Sequence, residues 1–577
     1  MTQANRLAPQ RSRWLPAWLQ HYRREQAMQD GIAGLVVTVL LVPQSLAYAM
    51  LAGLPPHVGM YASILPLLAY AAFGSSMSLA VGPVAVASLM TASALAPFAA
   101  QGSPEYLSLA ILLAMLGGLQ LMVMGVLRLG FVANLLSHSV VSGFVTGSAL
   151  LIAIGQLKPL LGIPAQGHTG VELLLSLLAS FQKMQPATAA LGLSSVLLLW
   201  SSRRFLAPLL ARGGLTPRAA DLLAKLAPMA IVLLSIGAVA FWQLDTRHGV
   251  AVVGTIPQGL PSLQLALPSR EQVMNLFLPA FMIALVGFVE SVSVAQSLAI
   301  KRGQRIDPNA ELRGLGAGNL ASALSGGFPV TGGFARSVVN FAAGAQTPMA
   351  GVISAALMSL VLLGLTGLFE RLPLAVLAAT IIVAVLGLID LATPRHAWHY
   401  DRADALAWTG TALGVLGLGV EAGIGIGVAL SAGTFLWRAS RPHIAVLGRL
   451  PGTEHFRNEQ RFRVETQPHL LIMRIDENLF FANSAAVLDR IEAELARRPA
   501  TRDLLLVLSS VSHIDLTAAE AMERLHADLQ TRGIVLHLAE VKGPVLDRLK
   551  KGGRLRGLTH EPFVSVHSAT QALGQHS

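Results

Sequence analysis

Hydrophobic positions run along this chain in blocks rather than stripes. From Gly31 to Pro104 there is no Lys, Arg, Asp or Glu, a stretch long enough for three membrane crossings at about 20 residues each. Further apolar blocks follow, and the pattern predicts helical spans near 31–51, 57–73, 83–99, 105–127, 131–156, 187–201, 226–243, 275–300, 310–325, 334–345, 347–368, 373–389, 403–418 and 420–437. That makes fourteen crossings, several of them short. Beyond them the pattern changes. His469–Asp476, Leu504–Ile514 and Ile534–Val541 read as strands; Ala485, Leu488, Ile491 and Leu495 line one helical face, and Ala518, Ala521, Met522, Leu525 and Leu529 another. This alternation predicts a small α/β domain with helices packed on a sheet.

Charge divides the chain at the same place. Residues 1–437 hold 38 charged side chains, and the 140 residues after them hold 35. The predicted organisation is a polar N-terminal segment (1–30), a membrane body (31–437), a linker (438–465) and a tail domain (466–577). The first 30 residues contain no apolar run of the secretory kind. Trp14, Leu15, Trp18 and Tyr22, flanked by Arg11, Arg13, Arg23 and Arg24, suit an interfacial anchor instead. With the N-terminus inside, seventeen loop Lys and Arg residues fall on the cytoplasmic side and five on the other, as positive-inside topology requires. An even number of spans returns the tail to the cytoplasm.

These features also exclude classes of function. Cysteine is absent, so thiol redox chemistry, thiolate metal sites and disulfides are out. The net charge of +11 lies mostly in the membrane body, without a basic and aromatic face for nucleic acid. No phosphate-binding loop, nucleophile elbow or metal-binding helix motif occurs, so neither catalysis nor a cofactor or metal is expected.

A faint internal repeat points to the site. Leu79-Ala-Val-Gly-Pro-Val-Ala-Val-Ala87 is an extended piece, a break and a small-residue helix, and Phe328-Pro-Val-Thr-Gly-Gly-Phe-Ala-Arg336 has the same character. Neighbouring spans match at a similar offset, 31–51 with 275–300 and 105–127 with 347–368. Two seven-span halves related by inversion follow, because seven is odd. Interrupted helices at matching positions mark the substrate site of many transporters, and two helix N-termini meeting near the midplane suit a small anion. Glu290 and Arg336 are the charges placed within spans, where charge is costly and usually functional. Two readings are open for them: an ion pair that holds two helices, or an arginine that draws the anion beside a carboxyl that exchanges a proton. Gly143-x-x-x-Gly147 and Gly423-x-x-x-Gly427 predict close helix packing. His57 and His138 are read as structural, and Asp390 and Glu421 as capping or interfacial.

Pro43-Gln-Ser-Leu-Ala-Tyr-Ala-Met-Leu-Ala-Gly-Leu-Pro-Pro56 and Gly59-Met-Tyr-Ala-Ser-Ile-Leu-Pro66 closely resemble the first-span signature of the SulP sulfate permease and anion transporter family. The resemblance covers roughly residues 20–570. It implies fourteen transmembrane segments in a 7+7 inverted repeat, with uracil-permease-like core (spans 1–4 and 8–11) and gate (spans 5–7 and 12–14) domains. By the family pattern the anion lies between spans 3 and 10. Gln44 and Tyr48 would be the span-1 contacts, Val84 and Ala85 the start of span 3, and Phe334, Ala335 and Arg336 the start of span 10. Glu290 would serve proton coupling. Some animal members carry a serine where this chain has Ala335, so a hydroxyl contact is lost there. The expected function is proton-coupled secondary active transport of a small anion, sulfate by default, across a bacterial inner membrane, by movement of core against gate. An uncoupled exchanger or channel, a bicarbonate or dicarboxylate symporter, and Na+ in place of the proton stay open. A homodimer is implied by the family.

Leu479-Phe-Phe-Ala-Asn483 and Val511-Ser-His-Ile-Asp-Leu-Thr-Ala-Ala-Glu-Ala521 resemble the STAS domain that ends most chains of this kind, with a cytoplasmic regulator as its implied partner. Bacterial antagonists carry a phosphorylated Ser or Thr two positions after the motif aspartate, which here corresponds to Thr517 after Asp515. Thr517-x-x-Glu520 equally reads as a helix capping box.

Overall fold

The structure, a computed structural model, describes residues 16, 18–134, 137–167, 169–263, 268–551 and 561–574. Trp14, Leu15, Arg11 and Arg13 of the expected anchor lie outside them. The first half of the membrane part comprises α1 (Arg24–Leu51), α2 (Pro56–Tyr61), α3 (Leu65–Phe73), β1 (Val81–Gly82), α4 (Ala85–Leu95), α5 (Pro104–Val126), α6 (His138–Leu161), α7 (Gly170–Ala179), α8 (Pro186–Ser201), α9 (Ala207–Arg212), α10 (Pro217–Trp242) and α11 (Leu244–Arg247). The second comprises α12 (Arg270–Ile300), α13 (Pro308–Leu324), β2 (Thr331–Gly332), α14 (Phe334–Ala342), α15 (Met349–Gly364), α16 (Leu374–Leu386), α17 (Ala392–Tyr400), α18 (Arg402–Leu418) and α19 (Val420–Ala439). Every expected span meets a helix, and seven helices among the described residues are long and apolar enough to cross a membrane unaided. This is a multi-pass membrane protein.

Several boundaries move, for local reasons. The second span is two helices, α2 and α3. The fifth starts at His138 rather than near 131, because the Ser137 hydroxyl accepts from Val140 N at 3.3 Å as an N-cap. The seventh starts at Pro217, nine residues before 226, behind a Thr216 cap. The N-terminal segment expected to end at residue 30 is already helical from Arg24. Asp30 is fully buried, accepting from the backbone N–H groups of Gln346 (2.6 Å) and Thr347 (3.1 Å) and from the Thr347 hydroxyl (2.6 Å). Trp18 donates to the Ala71 carbonyl at 2.8 Å and Tyr22 to Asp30 at 3.2 Å, so both are tied to the protein itself.

Small residues let the helices approach. A Cβ on Gly118 of α5 would stand 2.9 Å from the Gly316 carbonyl of α13, and one on Gly316 would stand 2.9 Å from the Gly118 carbonyl. The two glycine patterns act as expected: a Cβ on Gly147 would meet the Ala412 carbonyl at 2.8 Å, and one on Gly427 would meet Val140 at 2.7 Å. α6 thus packs on α18, and α19 on both. α5, α12 and α13 pack together with α1 and α15 nearby, while α6, α8, α16 and α18 form a second group.

The two extended pieces form one antiparallel pair, Val81 opposite Gly332 and Gly82 opposite Thr331. Such short strands leave backbone groups that membrane depth forbids unless protein satisfies them. Small polar side chains do so. Ala80 N donates to the Ser337 hydroxyl at 2.9 Å, Gly332 N to the Ser291 hydroxyl at 2.9 Å and Val330 N to Asn319 Oδ1 at 2.9 Å, while Asn340 Nδ2 donates to the Ser78 carbonyl at 3.0 Å.

A second compact unit begins at Ala432. Its sheet joins β3 (Ile444–Arg449), β4 (Phe456–Asn458), β5 (Leu470–Ile475), β6 (Asp503–Val507) and β7 (Val535–Ala539) in the order β4-β3-β5-β6-β7, with β5, β6 and β7 parallel and β3 antiparallel to β5. The stretch 438–465, expected as a linker, therefore supplies two strands: β4 pairs with β3 inside the stretch, and β3 pairs with β5, more than twenty residues on. Helices α20 (Ser484–Arg497), α21 (Leu516–Thr531), α22 (Gly543–Lys551) and α23 (Val566–Gly574) complete the unit. α21 buries the five predicted residues, whereas α20 buries only Ile491 and Leu495 of its predicted four, with Val487 buried, Leu488 half-buried and Ala485 exposed.

Candidate functional site

α4 and α14 start beside the strand pair, and neither has a side-chain cap. Their first intrahelical bonds run from Ser88 N to the Val84 carbonyl and from Ser337 N to the Gly333 carbonyl. The N–H groups of Ala85, Val86, Ala87, Phe334, Ala335 and Arg336 thus have no acceptor among the described residues. Helix starts of this kind carry about half an elementary positive charge each. Short antiparallel pairing brings both to one place.

A small cavity lies there. Gln44, Tyr48, Val84, Ala85, Phe334, Ala335 and Arg336 all line it, with Glu290, Val86, Gly333, Ala384, Val385 and Leu388. Every residue predicted for the anion and for the proton therefore meets in one cavity. Its volume is about 40 Å³, about three water-sized bodies.

Arg336 is 3% exposed, and neither Nη1 nor Nη2 has a hydrogen-bond partner. An unpaired buried guanidinium is expensive unless an anion completes it. Two glycines make room for it: a Cβ on Gly82 would stand 3.0 Å from Nη1, and one on Gly333 would stand 3.2 Å from Nε. No ion pair joins Glu290 to Arg336 among the described residues, so of the two readings left open the helix-holding pair does not form. Glu290 is half-buried and lines a second, larger cavity.

That second cavity, of about 670 Å³, is a vestibule lined by Ser137, His138, Ser142, Ser293, Gln296 and Asp390 among others, and it shares Glu290, Phe334 and Leu388 with the inner cavity. Those three side chains form the constriction between the two spaces. The vestibule reaches the start of α6 and the stretch after α16. Asp390 caps α17, accepting from Ala392 N and Thr393 N at 3.0 Å each, and also accepts from Ser142 Oγ at 2.9 Å. His138, read as structural, instead faces the vestibule as an exposed residue.

Sequence reasoning missed Ala384, Val385 and Leu388, because apolar residues at a helix end carry no signal of lining a cavity. It also missed Glu311, a fully buried carboxylate at the start of α13. Glu311 accepts from Tyr70 Oη (2.7 Å), Ser75 N (2.9 Å), Ser75 Oγ (2.6 Å) and Ser76 N (2.9 Å). It fixes the loop between α3 and β1, outside the cavity.

In the tail the two motifs meet. Phe481 N donates to Asp515 Oδ2 at 2.8 Å, and Ala518 N to Asp515 Oδ1 at 2.8 Å. Asp515, rather than Thr517, is thus the N-cap of α21, and the expected Thr517 capping box does not form. Thr517 sits exposed in the first helical turn.

Two interrupted helices that start at one buried cavity within a multi-pass helical body suit a membrane transporter. The family model described as the sulfate permease family matches residues 28–411, and the STAS domain model matches residues 461–569. The chain belongs to the sulfate permease family and ends in a STAS domain. It is 35% identical over 573 residues to the chloroplastic sulfate transporter 4.1 of Arabidopsis thaliana, covering 97% of this chain and 82% of that one. It is likewise 35% identical over 564 residues to a probable sulfate transporter of Mycobacterium tuberculosis, covering 97% and 98%. Its fold matches the murine anion transporter Slc26a9 in the inward-facing state, with a TM-score of 0.88 at 24% identity over 98% of this chain and 94% of that one. The transmembrane domain of a cyanobacterial bicarbonate transporter, BicA, matches with a TM-score of 0.58 at 26% identity over 70% and 98%.

Proposed function

We propose that this protein carries a small anion, sulfate first, across the membrane by secondary active transport. The observation that carries the reading is Arg336, buried with both terminal nitrogens unpaired at a cavity where two uncapped helix starts converge. Gln44 and Tyr48 bound the anion from α1, Val84 and Ala85 from α4, and Phe334 and Ala335 from α14. Glu290 takes up a proton as the anion enters, which removes a negative charge from the cavity and couples the two movements. The core (α1–α5 and α12–α15) shifts against the gate (α6–α10 and α16–α19), so that the cavity opens to one side at a time. The vestibule beside Asp390 is the open side here. In this reading the protein sits in a bacterial inner membrane as a homodimer with both termini cytoplasmic. Thr517 is the modifiable hydroxyl of the tail, Asp515 holds its helix, and a cytoplasmic regulator reads it.

Sulfate and bicarbonate, for which its relatives are named, are both anions that a guanidinium and backbone N–H groups accept. Uptake of labelled sulfate, bicarbonate, chloride and dicarboxylates into proteoliposomes, with proton and Na+ gradients imposed separately, tests the reading. Sulfate uptake accelerated by an inward proton gradient supports it. Flux that follows voltage alone, without proton or counter-anion movement, would make the protein an uncoupled channel or exchanger.

A further inference from the structure

The end of α8 carries arginines that do not line the anion cavity, although Arg203 stands within electrostatic reach of Tyr48 there. A π turn over Ser202–Leu206 joins α8 to α9 without a break, and such single-turn insertions mark functional positions in helices. It places Arg203 so that Nη1 donates to the Val383 carbonyl at 2.7 Å. Val383 lies in the last turn of α16, where carbonyls lack helical partners, so Arg203 caps that helix. One of its five N–H donors is used, and the residue is otherwise exposed.

The surroundings have the layering of a membrane boundary. Leu193, Leu197 and Leu198 are 52–61% exposed along α8, followed by Trp200 and Phe205 at 51% and 54%. The two aromatic rings meet edge to face at 6.1 Å, and the Arg204 guanidinium stands 5.8 Å from the Phe205 ring. Between Ser201 and Ala220 the chain has four arginines and no acid; of these Arg203, Arg204 and Arg212 are exposed. Aromatic belts followed by basic residues lie at the headgroup level, and α8, at about 24 Å, ends near that level.

We propose that Arg203, Arg204 and Arg212 hold the phosphate of an anionic phospholipid in the leaflet where α8 ends, with Trp200 and Phe205 against its acyl chains. Guanidinium forks match phosphate geometry, and the leucines and aromatic rings favour a lipid over free phosphate, which has nothing to place there. The site reaches the anion cavity through one helix. Ala384, Val385 and Leu388 line that cavity directly beyond Val383, so the phosphate stabilises the position of its gate wall. Transport should therefore respond to anionic lipid.

Full-length protein in detergent, offered an equimolar mixture of phosphatidylglycerol and phosphatidylcholine, is analysed for retained lipid by mass spectrometry. Phosphatidylglycerol should be enriched by about fivefold for each arginine engaged. Enrichment should fall in Arg203→Gln/Arg204→Gln and persist in Arg247→Gln, which changes an exposed arginine elsewhere. Arg204→Gln/Arg212→Gln leaves the α16 cap intact and should also lose enrichment, which separates lipid binding from misfolding. In vesicles, added phosphatidylglycerol should accelerate wild-type uptake but not that of the Arg204→Gln/Arg212→Gln variant, with equal rates in phosphatidylcholine alone. Equal enrichment in wild type and both double variants overturns the site, as does its displacement by millimolar glycerol phosphate, which would make the ligand a free phosphate. Loss of enrichment with unchanged lipid acceleration overturns the link to the gate.

Discussion

At the scale of single residues the proposed function rests on Arg336 and the space kept for it. Hydrogen bonds to a charged group contribute about 1.5–3 kcal/mol each, so Arg336→Gln should weaken anion affinity by about 10- to 100-fold, measured as KM in proteoliposome uptake. Gly82→Ala tests the same point without touching charge. Its Cβ would stand 3.0 Å from Nη1, so the guanidinium must shift and affinity should fall in the same direction; unchanged KM would show that the arginine's position is unimportant. Glu290→Gln should leave a measurable basal uptake and remove its acceleration by an inward proton gradient. Arg336 and Glu290 were legible in the sequence because charge inside an apolar span is conspicuous. Ala384, Val385 and Leu388 were not, since nothing separates a cavity wall from a packed core until the helices are placed.

Elements carry the next level of the argument. α4 and α14 reach the cavity because each begins beside the strand pair, and they can do so only because Ser337, Ser291, Asn319 and Asn340 satisfy the strands before them. Ser337→Ala leaves Ala80 N unpaired and should cost about 1–3 kcal/mol, read as a lower unfolding temperature in detergent together with reduced uptake. The Gly-Pro and Gly-Gly breaks were visible in the sequence. The polar residues that make the breaks tolerable were not, because an isolated Ser or Asn in a helix has many uses. In the tail, Asp515→Ala removes the α21 cap at a cost of about 1 kcal/mol, while Thr517→Ala should leave stability unchanged; the reverse order in chemical denaturation would restore the threonine cap.

Across the whole molecule, the proposed transport depends on two groups of helices that meet at the cavity. Phe334 from the core and Leu388 from the gate line both the inner cavity and the vestibule. Phe334→Ala should open this passage, raising uptake of larger anions relative to sulfate. The tail has its own pH response. Burial pushes the Asp476 carboxyl up, but hydrogen bonds from Arg474 and His443 outweigh it and hold the pKa below the ordinary range. Its stabilisation is therefore present above the unfolded carboxylate pKa and lost as pH falls through the folded value. Hydrogen exchange in β5 should quicken as pH drops from about 5 to about 3, after correction for intrinsic rates, and Asp476→Asn should remove that dependence.

Sequence alone determined the division into membrane body and charged tail, the apolar blocks that become helices and the paired breaks, and it singled out Glu290 and Arg336, because these are properties of local hydropathy and composition. It read 438–465 as a linker, where the structure has β3 and β4, because β3 acquires its meaning only by pairing with β5. It assigned the wrong cap to α21, since Asp515 and Thr517 are both good caps and only the path of residues 479–483 chose between them. Tertiary structure alone decided that Glu290 and Arg336 share a cavity without pairing, that Arg203 reaches α16, and where the vestibule opens. Each of these is a distance between segments far apart in the chain, set by how the inverted halves pack.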